Sequence, residues 1–178
     1  MKNTILIVLL ISLFGWSSCD ETPQCPEPAT SENANLDQFL GLWYEIASIP
    51  QIFTTGCKCT TAEYSLSPDG NGVTVSNTCQ VLVFTNNSQG IATQASPDDF
   101  SKLLVNFPSV PGPAGDYWIL HFAADASYML VGGPDRDQLY ILSRTPVLGP
   151  NKYNGLLGLA EELCFDISQV ELTEQSCF

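Results

Sequence analysis

Between Gly41 and Ser143 the chain runs as short stretches of alternating apolar and polar residues, most of them ended by a cluster of Gly, Pro, Asn or Asp. A repeat of two is the pattern of a strand with one buried face. It is plain in residues 60–66 and 73–77, with Val81 to Phe84 continuing the second strand. It recurs in 41–48, 90–95, 102–107, 116–121, 127–131 and 138–143. The connections carry no helical repeat, so strands adjacent in sequence are expected to pair antiparallel. As an open sheet, eight such strands would leave two unpaired edges. Closure removes them, and an all-β fold is predicted: an eight-stranded up-and-down antiparallel barrel.

The pattern changes after Pro146. Pro150 suits the first turn of a helix, and Tyr153, Leu156, Leu157, Ala160, Leu163 and Cys164 recur at helical spacing. Gly155 and Gly158 weaken that C-terminal α-helix, so packing against the outside of the barrel must hold it. One more short strand is expected at 169–172. The length suits one domain. The chain divides into a signal peptide at 1–19, an extended acidic arm at 20–35 with Pro23, Pro26 and Pro28, and the barrel domain at 36–178.

In a closed sheet the first and last strands are neighbours. The first opens Gly41-Leu42-Trp43-Tyr44-Glu45 and the last leads into Arg144. Glycine lets the chain turn beneath the barrel, the Trp43 indole fills its lower end, and the Arg144 guanidinium can stack on the indole. Gly41, Trp43 and Arg144 are therefore read as a structural floor, with the other end open. The loop Ile49-Pro50-Gln51-Ile52-Phe53-Thr54-Thr55-Gly56 is unusually apolar. It suits a lid over a cavity mouth, or a loop packed on its own disulfide.

Lys2, the apolar run at 5–14 and the small residues Ser17, Ser18 and Cys19 have the form of a secretory signal, too short to remain as a membrane span. A secreted, extracellular protein is expected. The alternative is a membrane-anchored lipoprotein with a lipid on Cys19, although Trp16 is a poor residue for that processing. The net charge is −13, and the basic residues Lys58, Lys102, Arg136, Arg144 and Lys152 are scattered. Such a chain repels nucleic acid and anionic lipid, so no nucleic-acid partner is expected. Membrane contact would come through loop 49–56 or a lipidated Cys19.

Six cysteines remain beyond Cys19, and an even number in an exported chain implies three disulfides. The turn at 68–72 folds 60–66 back on 73–83 and brings Cys79 opposite Cys59, give or take a residue. Cys57 would then take Cys177. The swapped pairs, Cys57–Cys79 and Cys59–Cys177, remain open. Cys25 and Cys164 are left for one another. A redox pair at Cys57-Lys58-Cys59, or a metal site adding Cys79, lacks the compartment and the partner motif, and no metal or cofactor is expected. The sequon Asn86-Asn87-Ser88, assigned to a hairpin tip, makes Asn86 a candidate glycosylation site.

Taken together, Gly41-x-Trp43-Tyr44-Glu45, Tyr117-Trp118-Ile119-Leu120, Leu130-Val131-Gly132-Gly133-Pro134-Asp135-Arg136-Asp137 and Ile141-Leu142-Ser143-Arg144-Thr145-Pro146 resemble the lipocalins. The likeness is to the apolipoprotein D and bacterial lipocalin branch, with Cys57, Cys59 and Cys79 placed more as in plant plastid lipocalins. It covers roughly 36–177. One departure is Ala123-Ala124-Asp125-Ala126-Ser127-Tyr128, which keeps only the Asp and the Tyr of the family's middle motif. The resemblance implies a carrier of a small hydrophobic ligand: a fatty acid, lysolipid, retinoid or other isoprenoid, or a pigment. With the phase set by Trp43 and Arg144, alternation places Ala47, Ala62, Tyr64, Val75, Asn77, Val105, Phe107, Tyr117, Ile119, Met129, Val131 and Tyr140 on the inner face. An apolar and aromatic lining with a few polar groups is the usual small-ligand site.

Two competing readings involve chemistry. A lipocalin-like enzyme acting on a lipid or pigment needs a nucleophile or a tuned acid and base. His121 is the lone histidine and reads as a satisfied strand residue, Glu45 as a buried structural carboxylate, and paired cysteines supply no nucleophile. A lipid-protecting antioxidant would use Met129 against hydroperoxides. No enzyme activity is expected.

Overall fold

The computed structural model describes residues 25–177, apart from the side chain of Phe53. The predicted signal, Cys19 and the start of the acidic arm lie outside the described residues. A one-turn helix, α1 (Leu36–Phe39), is capped by the Asn35 side chain, which accepts from the Gln38 backbone N–H at 3.1 Å. Then follow β1 (Gly41–Ser48), β2 (Lys58–Leu66), β3 (Val73–Val81), β4 (Phe84–Ser96), β5 (Asp99–Asn106), β6 (Gly115–Phe122), β7 (Tyr128–Gly132) and β8 (Leu139–Ser143). Helix α2 (Pro150–Glu162) and the short strand β9 (Glu171–Leu172) complete the chain.

Each of β1 to β7 pairs antiparallel with the next, and β1 pairs with β8 as well as β2, so the eight strands close. The seam between β1 and β2 closes only part-way. Gly41 to Tyr44 pair with β2, whereas Ala47 and Ser48 pair with β9. The C-terminal tail fills the rest of the gap. Gln175 Nε2 donates to the carbonyls of Glu45 (2.8 Å) and Thr60 (2.9 Å), and the Cys59 N–H donates to the Glu174 carbonyl (2.7 Å).

Two apolar layers hold this arrangement. One fills the lower barrel around Phe39, Trp43, Leu103, Ile119, Phe122 and Met129. The other lies between the outer wall and α2, where Leu156 and Ala160 pack with Ile46, Trp118, Leu130 and Ile141. Gly149 gives α2 no side-chain cap, so burial of this stripe rather than local preference fixes the helix.

Three expectations change. Ala47 does not face the interior. The β1–β8 register slips between Glu45 and Ala47, and the extra residue of this bulge flips the parity, placing Ala47 with the layer under α2. Phe84 does not continue β3 but starts β4. The hairpin tip is Leu82-Val83, with Leu82 in the left-handed region at φ 56°, and Asn86 sits on β4 opposite Cys79 rather than at the tip. A Leu-Val tip carries none of the usual turn residues. Finally, Cys79 bonds Cys57 and Cys177 bonds Cys59, the swapped arrangement, with Cys25–Cys164 as the third bridge. A second bulge, between Lys58 and Thr61, is the reason. Cys59 adopts φ 51° within it, while Cys57 and Cys79 both line the cavity and Cys59 does not.

Candidate ligand-binding cavity

The lower end of the barrel is sealed. The Arg144 guanidinium lies 3.6 Å from the centroid of the Trp43 ring and donates to the carbonyls of Gln38 (2.5 Å), Leu40 (2.8 Å) and Leu42 (2.7 Å). Trp43 Nε1 donates to the Phe39 carbonyl at 2.8 Å. Gly41 has φ +96°, and a Cβ there would come within 3.4 Å of Arg144 Nη1, so glycine serves both the backbone and the close approach. Phe39 completes the plug, its ring centroid 4.2 Å from Tyr64 and 5.3 Å from Phe100. Sequence reasoning missed Phe39. The signal was available in Asn35 as an N-cap one turn before β1.

Above the plug lies a cavity of about 390 Å³. Of the residues predicted to line it, Tyr64, Val75, Asn77, Val105, Phe107, Tyr117 and Tyr140 do so. Ala62, Ile119, Met129 and Val131 pack in the interior apolar cluster without lining the cavity, and Ala47 lies outside the wall. Met129 is fully buried there, which removes the access that an antioxidant role would need. Glu45, Gln51, Thr54, Thr60, Asp116 and Gln138 also line the cavity and were not anticipated as contacts. The mouth is formed by the β1–β2, β3–β4, β5–β6 and β7–β8 connections. Two of them present apolar tips to solvent: Ile52 is 96% exposed, Leu82 90% and Val83 89%.

The polar groups in the cavity are held in fixed relations. The Tyr64 and Tyr117 hydroxyls share a 2.6 Å hydrogen bond. Burial pushes the phenols of Tyr64, Tyr117 and Tyr140 above their ordinary range, so all three stay neutral. Glu45 Oε1 accepts from Ser48 Oγ (3.1 Å) and from Thr173 Oγ1 (2.6 Å). Burial raises the Glu45 pKa, and these two hydrogen bonds partly offset it. Glu45 thus ties the tail to the wall through side-chain hydroxyls rather than backbone. Thr60 Oγ1 is buried without a hydrogen-bond partner.

The residues weighed for catalysis are not assembled. His121 pairs with Leu130, which packs against the outer layer, and its ring stacks on Tyr128 with centroids 5.7 Å apart. All six described cysteines are in disulfides. Among the described residues no cluster of His, Cys, Asp and Glu is placed to hold a metal. A second hollow, about 300 Å³, lies outside the barrel between the end of β8 and the start of α2, and it contains none of the predicted ligand contacts.

A family model described as a lipocalin-like domain matches residues 34–175. The chain is a lipocalin. It is 36% identical over 154 residues to temperature-induced lipocalin-1 of Arabidopsis thaliana, covering 80% of each chain. To apolipoprotein D of Rattus norvegicus it is 32% identical, covering 96% of this chain and 95% of the relative. To the outer membrane lipoprotein Blc of Escherichia coli K12 it is 35% identical, covering 98% of each. Among solved structures it is similar to insecticyanin of the tobacco hornworm Manduca sexta, with a TM-score of 0.67 at 21% identity, covering 86% of this chain and 87% of that one. At that identity the likeness speaks for the fold.

Proposed function

We propose that this lipocalin is a secreted carrier that holds one small hydrophobic molecule in the upper barrel. The observation that carries the reading is the 390 Å³ cavity, floored by Trp43 and Arg144, open through four loops and lined by Tyr64, Val75, Val105, Phe107, Tyr117 and Tyr140. Its volume is in the range of small-molecule sites. Apolar ligand surface removed from water there contributes about 25 cal/mol per Å², set against the loss of ligand freedom. Three disulfides suit an oxidising compartment. The ligand is expected to enter from a lipid surface touched by loop 49–56, where Ile52 projects into solvent.

The test is titration of the delipidated protein with an environment-sensitive lipid probe. Saturable binding is expected, weakened at least about tenfold by Phe107→Asp, which places a charge in the lining. Tyr64→Ala should also displace the probe, by removing a lining ring. If no apolar probe binds saturably to the folded protein, the carrier reading is wrong. Co-flotation with zwitterionic vesicles, reduced by Ile52→Asp, checks the lipid contact separately.

A further inference from the structure

The charge around the cavity is one-sided. Glu45, Asp116 and Asp137 line it, and no Lys, Arg or His does. Every described cation is engaged elsewhere. Arg144 lies beneath the floor on Trp43 and the α1 carbonyls. Arg136 donates to the carbonyls of Leu163 (2.8 Å), Pro134 (3.1 Å) and Pro26, bracing the N-terminal arm and the end of α2. Lys58 pairs with Glu174 at 2.5 Å on the outer face of the seam. Lys102 pairs with Glu27 at 2.5 Å and sits over the Trp118 ring, and Lys152 sits over Tyr128. His121 stacks on the outer wall.

The cavity also holds polar oxygens that are not saturated. Both hydrogen bonds to the Glu45 carboxylate fall on Oε1, leaving Oε2 free to accept. Thr60 Oγ1 is buried beside the cavity with no partner. The Tyr64 and Tyr117 hydroxyls share one hydrogen bond, which leaves one of the two O–H groups free to donate. A carboxylate carried into this space would lose its water with no counter-charge to replace it, and would lie among carboxylates. An alcohol keeps a donor for the free oxygens, and an ammonium adds attraction to the same groups.

We infer that the cavity selects apolar ligands whose polar end donates a hydrogen bond, an alcohol or an amine, and discriminates against those ending in a carboxylate. This rests on the carrier function proposed above, and it excludes free fatty acids from the ligand classes that the fold alone would admit.

A matched twelve-carbon series tests it at neutral pH, with dodecanol, dodecylamine and dodecanoate each displacing the uncharged dye Nile red below its micelle concentration. The alcohol and the amine are expected to displace the dye at concentrations at least about tenfold lower than the carboxylate. Glu45→Gln should narrow the gap, weakening the amine relative to the alcohol and improving the carboxylate. Dodecanoate competing as well as dodecanol would overturn the inference while leaving the carrier reading standing. If Nile red binds and none of the three displaces it, the inference fails while the carrier reading stands; if neither the dye nor any other apolar probe binds, the carrier reading fails and the inference with it. Should Glu45→Gln not fold, the wild-type series alone decides.

Discussion

Trp43 and Glu45 sit two residues apart on β1, share the inner face of the barrel, and do different work. Trp43 is fully buried, bonded through its indole N–H and covered by Arg144, but it does not line the cavity. Trp43→Ala should therefore cost about 3–5 kcal/mol in urea unfolding, as other large-to-small core changes do, while the folded fraction keeps its probe affinity. A variant that folds normally but loses ligand would move Trp43 into the site. Glu45 makes a prediction in pH. Burial raises its pKa in the folded state above the ordinary 4.5, so between those two values the native chain holds the proton more tightly than the unfolded one. Stability from this group is present at low pH and is lost as pH rises through the folded pKa. Glu45→Gln removes that loss, so as pH rises above the ordinary carboxyl range the variant should fall less in stability than the wild type. A steeper fall would mean that the Ser48 and Thr173 hydrogen bonds outweigh burial.

At the scale of elements, helix α2 is held by what it touches rather than by what it is made of. Gly155 and Gly158 are exposed, and a Cβ at either position would meet nothing within 4 Å. Replacing both with alanine should raise stability by up to about 1 kcal/mol per site, through a better helix and a less free unfolded chain. Thermal unfolding would show this, and a loss would point to packing on a face that the structure leaves open. The strands show why alternation could be read and its height could not. Period two assigns a face, and Ala62, Ile119, Met129 and Val131 do pack with the interior layer. It says nothing about distance along the barrel axis, so residues in the packed plug and residues around the cavity carry the same signature. Ala47 fails differently, because a bulge adds one residue without a local mark and reverses every face beyond it.

For the molecule as a whole, closure was legible because eight alternating segments have few other ways to avoid bare edges. The seam was not legible. No pattern in 173–177 announces a tail that completes the β1–β2 wall, since its bonds run through Gln175 and the Cys59 N–H to backbone on distant strands. The polarity of the cavity was hidden for a related reason: Thr60, Asp116 and Gln138 become lining only once loops and strand ends converge at the mouth. The disulfides add a consequence in time. Cys57–Cys79 spans 22 residues, while Cys59–Cys177 spans 118 and Cys25–Cys164 spans 139. The first can form once a single hairpin exists, whereas the others must wait for partners made much later. During that wait Cys59 is an idle thiol two residues from a finished bond, well placed to attack it. Oxidative refolding should accordingly pass through isomers that trade Cys79 between Cys57 and Cys59, and capture of the C-terminal tail by Cys59 is the step that ends the exchange.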